Sequence, residues 1–307
     1  MRLLVVGAGS TGGYIGGRLV QAGRDVTFLV RPGRAERLRR DGLRIVSPLG
    51  DATVEPHLVT DDTLDGPFDA VLLSVKGFQL DAALDDLRPA VGPETMILPV
   101  LNGMRHMTTL AERFSPDNLV GCALKIATIL DEEGRVVHLT PLQELAYGEL
   151  DGNITPRIEA LHDVMQAGGF QPRLSREIRR EMWEKWILLA SIGAVTCLMR
   201  GPIGEIEAVP GGSAFSLAVL DEAVATVRAV GTGPSEAFLT AARDQLTAKG
   251  SPLTSSMYRD LLKGRPVEAE NIIGDLVRAA AGAGIETPLL AAAYTHLSVY
   301  QNRLGNA

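Results

Sequence analysis

The first half of the chain alternates short apolar runs with longer stretches in which apolar residues recur every three or four positions. The short runs predict strands at Leu3–Val6, Asp25–Val30, Ala70–Val75, Met96–Leu101 and Leu119–Ala123. Most of these runs are apolar throughout, which is typical of parallel strands buried on both faces. The longer stretches predict helices at Gly12–Ala22, Gly33–Asp41, Leu80–Val91 and Met104–Phe114. Residues 1–174 therefore predict an α/β domain, doubly wound around a mostly parallel sheet.

The pattern changes in the second half of the chain. Two later apolar runs, Val136–Thr140 and Glu144–Gly148, predict an added antiparallel pair of strands. Ser175 is a candidate N-cap for a long helix with an apolar stripe, which runs to about Met199. Further helices are predicted at Ala214–Val230, Ser235–Ala248, Val267–Ala283 and Pro288–Arg303. Residues 175–307 therefore predict a second domain that is all-α.

Composition and charge exclude several classes of function. The chain has 307 residues and a net charge of −7, which argues against a general nucleic-acid-binding surface. Its two cysteines, Cys122 and Cys197, lie far apart in apolar runs, so we expect no disulfide framework and a reducing, cytoplasmic compartment. The five histidines lack the spacing of a metal motif, and we predict no metal site. No run of 18 uncharged apolar residues occurs, so membrane spanning is not expected.

A glycine-rich turn follows the first predicted strand. Residues 3–12 read L-L-V-V-G-A-G-S-T-G, which is the G-x-G-x-x-G spacing between a strand and a helix. The first glycine permits a tight turn, the second lets the backbone approach a pyrophosphate, and the third lets the helix pack against the strand. This context predicts a dinucleotide-binding Rossmann domain. The residues predicted to bind the cofactor here are Gly7, Gly9, Ser10, Thr11 and Gly12.

The end of the second strand bears on the choice of nicotinamide cofactor. An acidic side chain there binds the ribose 2′-hydroxyl of NAD, whereas an arginine accommodates the 2′-phosphate of NADP. Residues 29–34 read L-V-R-P-G-R, with no carboxylate and with Arg31 at the right distance. We therefore predict NADP(H) as the cofactor. The alternative is that Arg31 and Arg34 are solvated loop residues.

Five further segments, read together with the glycine turn, carry a resemblance to a known family. They are S-V-K-G-F-Q at 74–79, V-L-N-G-M at 100–104, W-E-K-W at 183–186, S-S-M-Y-R-D at 255–260 and G-R-P-V-E at 264–268. In order and spacing the entire chain resembles the ketopantoate reductases (2-dehydropantoate 2-reductases), a branch of the 6-phosphogluconate-dehydrogenase-like group. The resemblance implies a Rossmann domain followed by a helical domain that binds substrate and forms a homodimer. It also implies reduction of ketopantoate to D-pantoate by NADPH, on the route to pantothenate and coenzyme A.

The resemblance assigns roles to individual side chains. Hydride transfer to a ketone carbon leaves negative charge on the oxygen, so a proton donor must lie close to it. By resemblance, Lys185 is this general acid, and Glu268 orients it and contacts substrate and cofactor. Ser256 would bind the substrate carboxylate. Asn102 and Lys76 each follow a predicted strand, so both are expected to face the cofactor, with Asn102 also near the substrate.

Each of these assignments has a plainer alternative. Lys185 is also compatible with the polar edge of an amphipathic helix, where most helical lysines lie. Glu268 falls near a predicted helix N-terminus, where a carboxylate is favoured by the helix dipole without further function. Ser255 or Ser256 would equally begin a short helix at Met257–Leu262.

Two positions depart from the family pattern. The family helix commonly carries asparagines one and two turns after the catalytic lysine, where this chain has Leu189 and Gly193. Both lie on the Lys185 face of the helix, because spacings of four and eight keep side chains nearly aligned. Both are therefore candidate substrate-pocket residues. These two positions leave open a reductase of a different, less polar 2-keto acid or of a related carbonyl or imine. A separate alternative is a non-catalytic NADP-binding protein, against which the presence of Lys185, Ser256 and Glu268 argues.

Overall fold

The computed structural model describes residues 1–305 and forms two compact units. The first unit comprises Met1–Leu101 and His106–Ile178. The second begins with the short segment Asn102–Arg105 and continues from Arg179 onward. The segment Asn102–Arg105 therefore belongs to the second unit, although the chain on both sides of it belongs to the first.

The first unit contains all of the β-structure in the described part of the chain. Its strands are β1 (Leu3–Val6), β2 (Val26–Leu29), β3 (Leu43–Val46), β4 (Ala52–Val54), β5 (His57–Val59), β6 (Ala70–Leu73), β7 (Met96–Pro99), β8 (Val120–Leu130), β9 (Val136–Glu149) and β10 (Gln171–Leu174). Its helices are α1 (Ser10–Gln21), α2 (Pro32–Asp41), α3 (Leu80–Asp86), α4 (Arg105–Arg113) and α5 (Pro156–Gln166). Five parallel strands form one sheet in the order β5-β2-β1-β6-β7.

β1 explains why the predicted strands are apolar throughout. Leu3 and Val5 pack into one buried cluster together with α1, whereas Leu4 and Val6 pack into a second cluster together with α3. Successive side chains of a strand point to opposite faces, so both faces of this sheet are covered. The predicted α/β fold with a doubly wound, mostly parallel sheet is confirmed.

The predicted antiparallel pair at Val136–Thr140 and Glu144–Gly148 is wrong. Both runs belong to the single strand β9, which pairs antiparallel with β8 along most of its length. Gln143 lies opposite Ile126 and His138 lies opposite Thr128, so the residues between them bulge out of the ladder. This bulge is exposed and contains a proline, and the same composition in a sequence indicates a turn.

The second sheet, which contains β9, was largely missed by the hydrophobic pattern. Its strand order is β10-β9-β3-β4, and β8 also pairs with β9. β3, β4 and β10 have only three or four residues each, and their faces alternate or are half-exposed, so their apolar signal is weak. The predicted helix Leu80–Val91 is also too long. α3 ends at Asp86 and a separate 3₁₀ turn follows at Arg88–Ala90, where Pro89 cannot donate a helical hydrogen bond.

The second unit is helical, as predicted. Its helices are α6 (Ile178–Met199), α7 (Ile203–Glu207), α8 (Gly212–Val230), α9 (Glu236–Leu246), α10 (Ser256–Leu262), α11 (Asp275–Gly282) and α12 (Pro288–Gly305). Apolar side chains from these helices form one buried cluster. α6 is the one helix in the described residues that is long and apolar enough to cross a membrane. About 61% of its apolar window is buried inside the protein, as expected for a core helix.

The predicted regular helix at Val267–Ala283 needs correction. The chain from Glu270 to Gly274 forms a π-helical segment, and α-helical geometry continues only from Asp275. A π segment widens the helix by one residue per turn and is frequent at functional sites. Its formation depends on packing, so the apolar periodicity of the sequence did not reveal it.

Candidate cofactor and substrate sites

The glycine turn between β1 and α1 has the geometry that a dinucleotide requires. Gly7 has a φ of +91°, a conformation that strains any residue with a side chain. A Cβ at Gly12 would lie 2.2 Å from the carbonyl oxygen of Gly7, so the helix can pack this closely only without a side chain. At Gly9, by contrast, a Cβ would meet nothing within 4 Å. The middle glycine thus borders open space that a ligand can approach.

The N-terminus of α1 suits an anion. The helix begins at Ser10, no side chain caps it, and its first turn contains no acidic residue. Its first N–H groups and the positive end of the helix dipole therefore attract negative charge. Ser74 stabilises the turn, because its Oγ lies 2.9 Å from both the Val6 and Gly7 carbonyl oxygens, which share its single hydroxyl proton. The residues predicted for cofactor binding at this turn fit a pyrophosphate.

Two arginines near the end of β2 have different surroundings. Arg31 is exposed and lies immediately before α2, close enough to Asp86 for its charge to oppose the raised pKa of that carboxyl. That pKa is raised mainly by burial and secondly by Asp61. Arg34 is half-buried, and its Nε donates to the carbonyl oxygen of Ala8 at 3.0 Å. Burial lowers the pKa of Arg34.

These surroundings indicate different roles for the two arginines. Arg31 presents its guanidinium to solvent, where a ligand can reach it. Arg34 holds the glycine turn through Ala8 and also donates to the carbonyl oxygen of Gly134 at 3.1 Å. The alternative of two solvated loop arginines therefore does not describe Arg34. Lys76 is exposed two residues after Ser74, at the start of a 3₁₀ turn that follows β6.

The second unit brings Asn102 and Glu268 together. The Nδ2 of Asn102 lies 3.3 Å from an Oε of Glu268, to which it donates. Glu268 is only 5% exposed although it is a carboxylate. Beside this pair, Gly103 has a φ of +83°, and a Cβ there would lie 2.3 Å from the carbonyl oxygen of Asn271. The close approach of Gly103 to the π-helical segment places Asn102 next to Glu268.

Lys185 lies half-buried on α6, beside a residue that connects α6 to the same π-helical segment. The indole Nε1 of Trp186 donates to the carbonyl oxygen of Ile272 at 2.8 Å. Trp186 is 4% exposed and stacks in a tilted arrangement against Trp183. A buried aromatic hydrogen bond thus fixes the turn of α6 that carries the lysine.

Ser256 is the first residue of α10, and its neighbour Ser255 is the N-cap. The Oγ of Ser255 accepts a hydrogen bond from the backbone N–H of Tyr258 at 2.9 Å. The capping alternative therefore applies to Ser255 rather than to Ser256. The half-buried side chain of Ser256 remains available for a ligand in the first turn of α10.

The two departures from the family pattern lie in apolar surroundings. Leu189 is half-buried and packs against the apolar cluster of the second unit. Gly193 is buried, and a Cβ there would lie 2.3 Å from the terminal methyl carbon of Met257. The space that an asparagine side chain would need at position 193 is thus occupied by a methionine methyl group.

The sequence pattern did not reveal the roles of several residues that shape these sites. Trp186, Arg34 and Ser74 act through hydrogen bonds to backbone carbonyl groups, and no local motif signals such bonds. Gly103 carried a usable signal, because an Asn-Gly pair after a strand favours a left-handed glycine. Among residues 1–305, no group of three or more His, Cys, Asp or Glu side chains is arranged to hold a metal ion.

Comparison with family models gives two matches that together span most of the chain. Residues 3–152 match the model described as "Ketopantoate reductase PanE/ApbA". Residues 177–301 match the model described as "Ketopantoate reductase PanE/ApbA C terminal". The second match begins at residue 177, next to the start of α6, where the sequence pattern becomes helical.

Individual relatives cover nearly the full chain. An uncharacterized oxidoreductase, YkpB, of Bacillus subtilis is 33% identical over 98% of this chain and 99% of its own. A 2-dehydropantoate 2-reductase of Halobacterium salinarum is 29% identical over 94% and 95%. The crystal structure of 2-dehydropantoate 2-reductase from Geobacter metallireducens superposes with a TM-score of 0.87 at 28% identity, over 97% of this chain and 99% of its own.

Proposed function

The chain belongs to the ketopantoate reductase PanE/ApbA family of NAD(P)H-dependent oxidoreductases, and we propose that it reduces the 2-keto group of ketopantoate to D-pantoate with NADPH. The observation that carries the proposal is the buried Glu268 carboxylate, which accepts a hydrogen bond from Asn102. A carboxylate in a largely apolar helical unit is costly unless it is hydrogen-bonded. The burial of a hydrogen-bonded carboxylate at this position supports a role in binding and orienting a polar substrate.

The cofactor part of the proposal rests on the first unit. The turn at Gly7, Gly9, Ser10, Thr11 and Gly12 binds the pyrophosphate, and the exposed Arg31 pairs with the 2′-phosphate of NADP(H). Lys76 adds a second cation at the end of β6. NADPH, when bound, supplies the hydride that reduces the keto carbon.

The substrate part rests on the second unit. Ser256 donates a hydrogen bond to the substrate carboxylate. Lys185 donates a proton from its Nζ to the keto oxygen as negative charge develops there. Glu268 orients this lysine and contacts the substrate, and Asn102 holds the Glu268 carboxylate in place. These roles require one proton donor and one anion-binding hydroxyl, and the second unit contains both.

A second candidate substrate is a 2-keto acid with a less polar side chain. Leu189 and the Gly193–Met257 contact favour it, because they place apolar groups where family members commonly have asparagines. A site that lacks a hydrogen-bonding partner for a substrate hydroxyl loses about 1–3 kcal/mol of binding free energy. Lys185, Ser256 and Glu268 address the keto acid group itself, so they serve either substrate.

The proposal also covers the roles of the two domains, the oligomeric state and the cellular compartment. Residues 1–174 would bind NADP(H), and residues 175–307 would bind the substrate and form the contacts of a homodimer. We expect the enzyme to act in the cytoplasm, with no nucleic-acid or membrane partner. The low cysteine content of the chain supports a reducing compartment.

A panel of 2-keto acids tests the proposed function. Oxidation of NADPH and of NADH is followed with ketopantoate, with 2-ketoisovalerate, which lacks its hydroxymethyl group, and with larger apolar 2-keto acids. The proposal expects NADPH to be preferred and ketopantoate to give the highest kcat/KM, of ~10⁴ M⁻¹s⁻¹ or more. A higher kcat/KM with an apolar analogue supports the second candidate. Absence of turnover with every 2-keto acid would overturn both.

A further inference from the structure

A buried threonine on α6 connects this helix to the start of α10. Thr196 lies eleven residues after Lys185 and is 0% exposed. Its Oγ1 is 2.6 Å from the carbonyl oxygen of Ile192 and 2.9 Å from the Oγ of Ser255. The family resemblance and the proposed roles leave this residue without a function.

The direction of each hydrogen bond follows from its partners. The Ile192 carbonyl only accepts, so the Thr196 hydroxyl donates its proton there. Because the single hydroxyl proton of Thr196 is used in that bond, Ser255 donates in its contact with the Oγ1 of Thr196, while the Oγ of Ser255 accepts from the N–H of Tyr258. The three bonds therefore run in one sense, from the backbone of α10 through Ser255 and Thr196 to the backbone of α6. Each of the two hydroxyl groups thus both donates and accepts a hydrogen bond, and burial makes each bond harder to replace.

We propose that Thr196 is a positioning residue that fixes the first turn of α10 relative to α6 and thereby directs the Ser256 hydroxyl toward the substrate carboxylate. Ser256 follows the capping serine directly, so its backbone moves with Ser255. Lys185 lies on the same helix as Thr196, so the bridge links the proton donor to the anion-binding hydroxyl. This inference rests on the proposed function, in which Ser256 binds the carboxylate.

The chain offers a matched control at Thr226. This threonine of α8 is also 0% exposed, and its Oγ1 donates to the carbonyl oxygen of Glu222 at 2.8 Å. It makes the same bond within its helix, and among the described residues no side-chain hydroxyl bridges it to another helix. Thr226→Val therefore removes a buried hydroxyl with the same local geometry and reports any general loss of stability.

The first measurement is steady-state kinetics of the complete enzyme. Thr196→Val is expected to raise the KM of the 2-keto acid about 10-fold, which corresponds to about 1.4 kcal/mol. The kcat should change less than about 3-fold, and the KM of NADPH should stay unchanged. Thr196→Ser keeps the hydroxyl and should restore the original KM. Thr226→Val should leave all three constants unchanged.

A double-mutant cycle tests whether Thr196 acts through Ser256. Ser256→Ala alone should raise the KM of the 2-keto acid at least as much as Thr196→Val does. In the Ser256→Ala background, Thr196→Val should then add less than about 2-fold, because interacting residues are not additive. Full additivity would show that the threonine acts elsewhere and would overturn the inference.

Amide hydrogen exchange at Tyr258 gives a readout that needs no substrate. Thr196→Val should speed exchange of this N–H about 10-fold, whereas Thr196→Ser and Thr226→Val should not. If Ser256→Ala raises the KM but Thr196→Val changes neither KM nor exchange, the inference falls and the proposed function stands. If Ser256→Ala leaves the KM unchanged, the carboxylate assignment in the proposed function falls, and the substrate part of this inference falls with it.

Discussion

The side-chain amide of Asn102 donates to the buried carboxylate of Glu268 at 3.3 Å, although 166 positions separate the two residues in the chain. The contact joins the segment that follows β7 to the residues before the π-helical segment. Gly103 makes it possible, because no side chain at this position blocks the approach to Asn271. The carboxylate is thus held at a defined position within the second unit.

Glu268→Ala tests the role of this carboxylate. We expect kcat to fall at least ~10²-fold, because the proposed general acid loses the group that orients it. The KM of the 2-keto acid should rise as well, because Glu268 is also assigned to substrate contact. Glu270→Gln is the control, since Glu270 is bonded to Tyr294 and Arg278 and has no assigned role. Equal kinetics for Glu268→Ala and the unmodified enzyme would contradict the assignment.

Lys185→Ala tests the proton donor. Proton transfer acts in the transition state, so turnover should slow at least ~10²-fold while the Kd of NADPH, measured by fluorescence titration, stays nearly unchanged. Lys249→Ala, at an exposed position in the same unit, should leave turnover intact and alter stability by less than ~0.5 kcal/mol. A folded Lys185→Ala variant with the original turnover rate would remove the central claim of the mechanism.

Arg31→Glu tests the preference for NADPH. Loss of a charge-assisted hydrogen bond to the 2′-phosphate should weaken NADPH binding by roughly 1–3 kcal/mol and favour NADH relatively. Arg39→Glu makes the same charge change at an exposed position within α2 and should have a much smaller effect. The two Kd values are compared by calorimetry. Equal affinity of the unmodified protein for NADPH and NADH would contradict the prediction.

Leu189→Asn tests which substrate the pocket selects. If the natural substrate lacks a hydroxyl, this change should raise kcat/KM for ketopantoate relative to an apolar 2-keto acid. The double variant with Gly193→Asn should extend the shift, but only if the Met257 side chain moves, because its methyl group fills the required space. We therefore expect Gly193→Asn to act more strongly when combined with Met257→Ala. A high kcat/KM for ketopantoate in the unmodified enzyme would instead show that other groups replace the two asparagines.

The pH dependence of stability has a defined contribution from Glu149. Its buried carboxylate accepts two hydrogen bonds from Arg157, at 2.7 and 2.6 Å, and another from Thr155. The hydrogen bonds from Arg157, against the opposing effect of burial, lower the pKa of Glu149 in the folded state. A lowered pKa means that the stabilisation is complete above the pKa of the unfolded chain and is lost as pH falls through the folded value.

Glu149→Gln should therefore destabilise the protein near neutral pH by about 1–3 kcal/mol, as expected for lost hydrogen bonds between charged groups. The difference from the unmodified protein should shrink as the pH is lowered below the ordinary glutamate range, which lies near ~4.3. Urea unfolding between neutral and acidic pH measures both effects. A difference that stays constant with pH would contradict the assigned role of the ionised carboxylate.

Four of the five strands of the parallel sheet in the first unit follow directly from the sequence, because burial on both faces leaves a direct mark on composition. β1, β2, β6 and β7 were all anticipated from apolar runs, and the glycine turn was anticipated from its spacing. Each of these features is local. A strand covered on both sides needs apolar residues at every position, and a tight turn needs glycine wherever a side chain would clash.

The same pattern predicted the longer helices of the second unit but neither the short helix α7 nor the irregularities of the others. The span Val267–Ala283 was predicted as one regular helix, whereas the structure has a π-helical segment at Glu270–Gly274. Apolar spacing records which residues are buried, and a single extra residue in a turn changes that spacing too little to be recognised. The continuous strand β9 was missed for a related reason, since an exposed bulge with a proline resembles a turn between two strands.

The pairing of polar groups follows from the tertiary structure and from no pattern in the sequence. Asn102 and Glu268, Trp186 and Ile272, and Thr196 and Ser255 are each far apart in the chain, so no spacing rule relates them. Their hydrogen bonds form because the packing of apolar faces first brings the backbone segments together, after which each buried polar group must find a partner nearby. The sequence supplied the candidate side chains, and the packing of the second unit determined how they are paired.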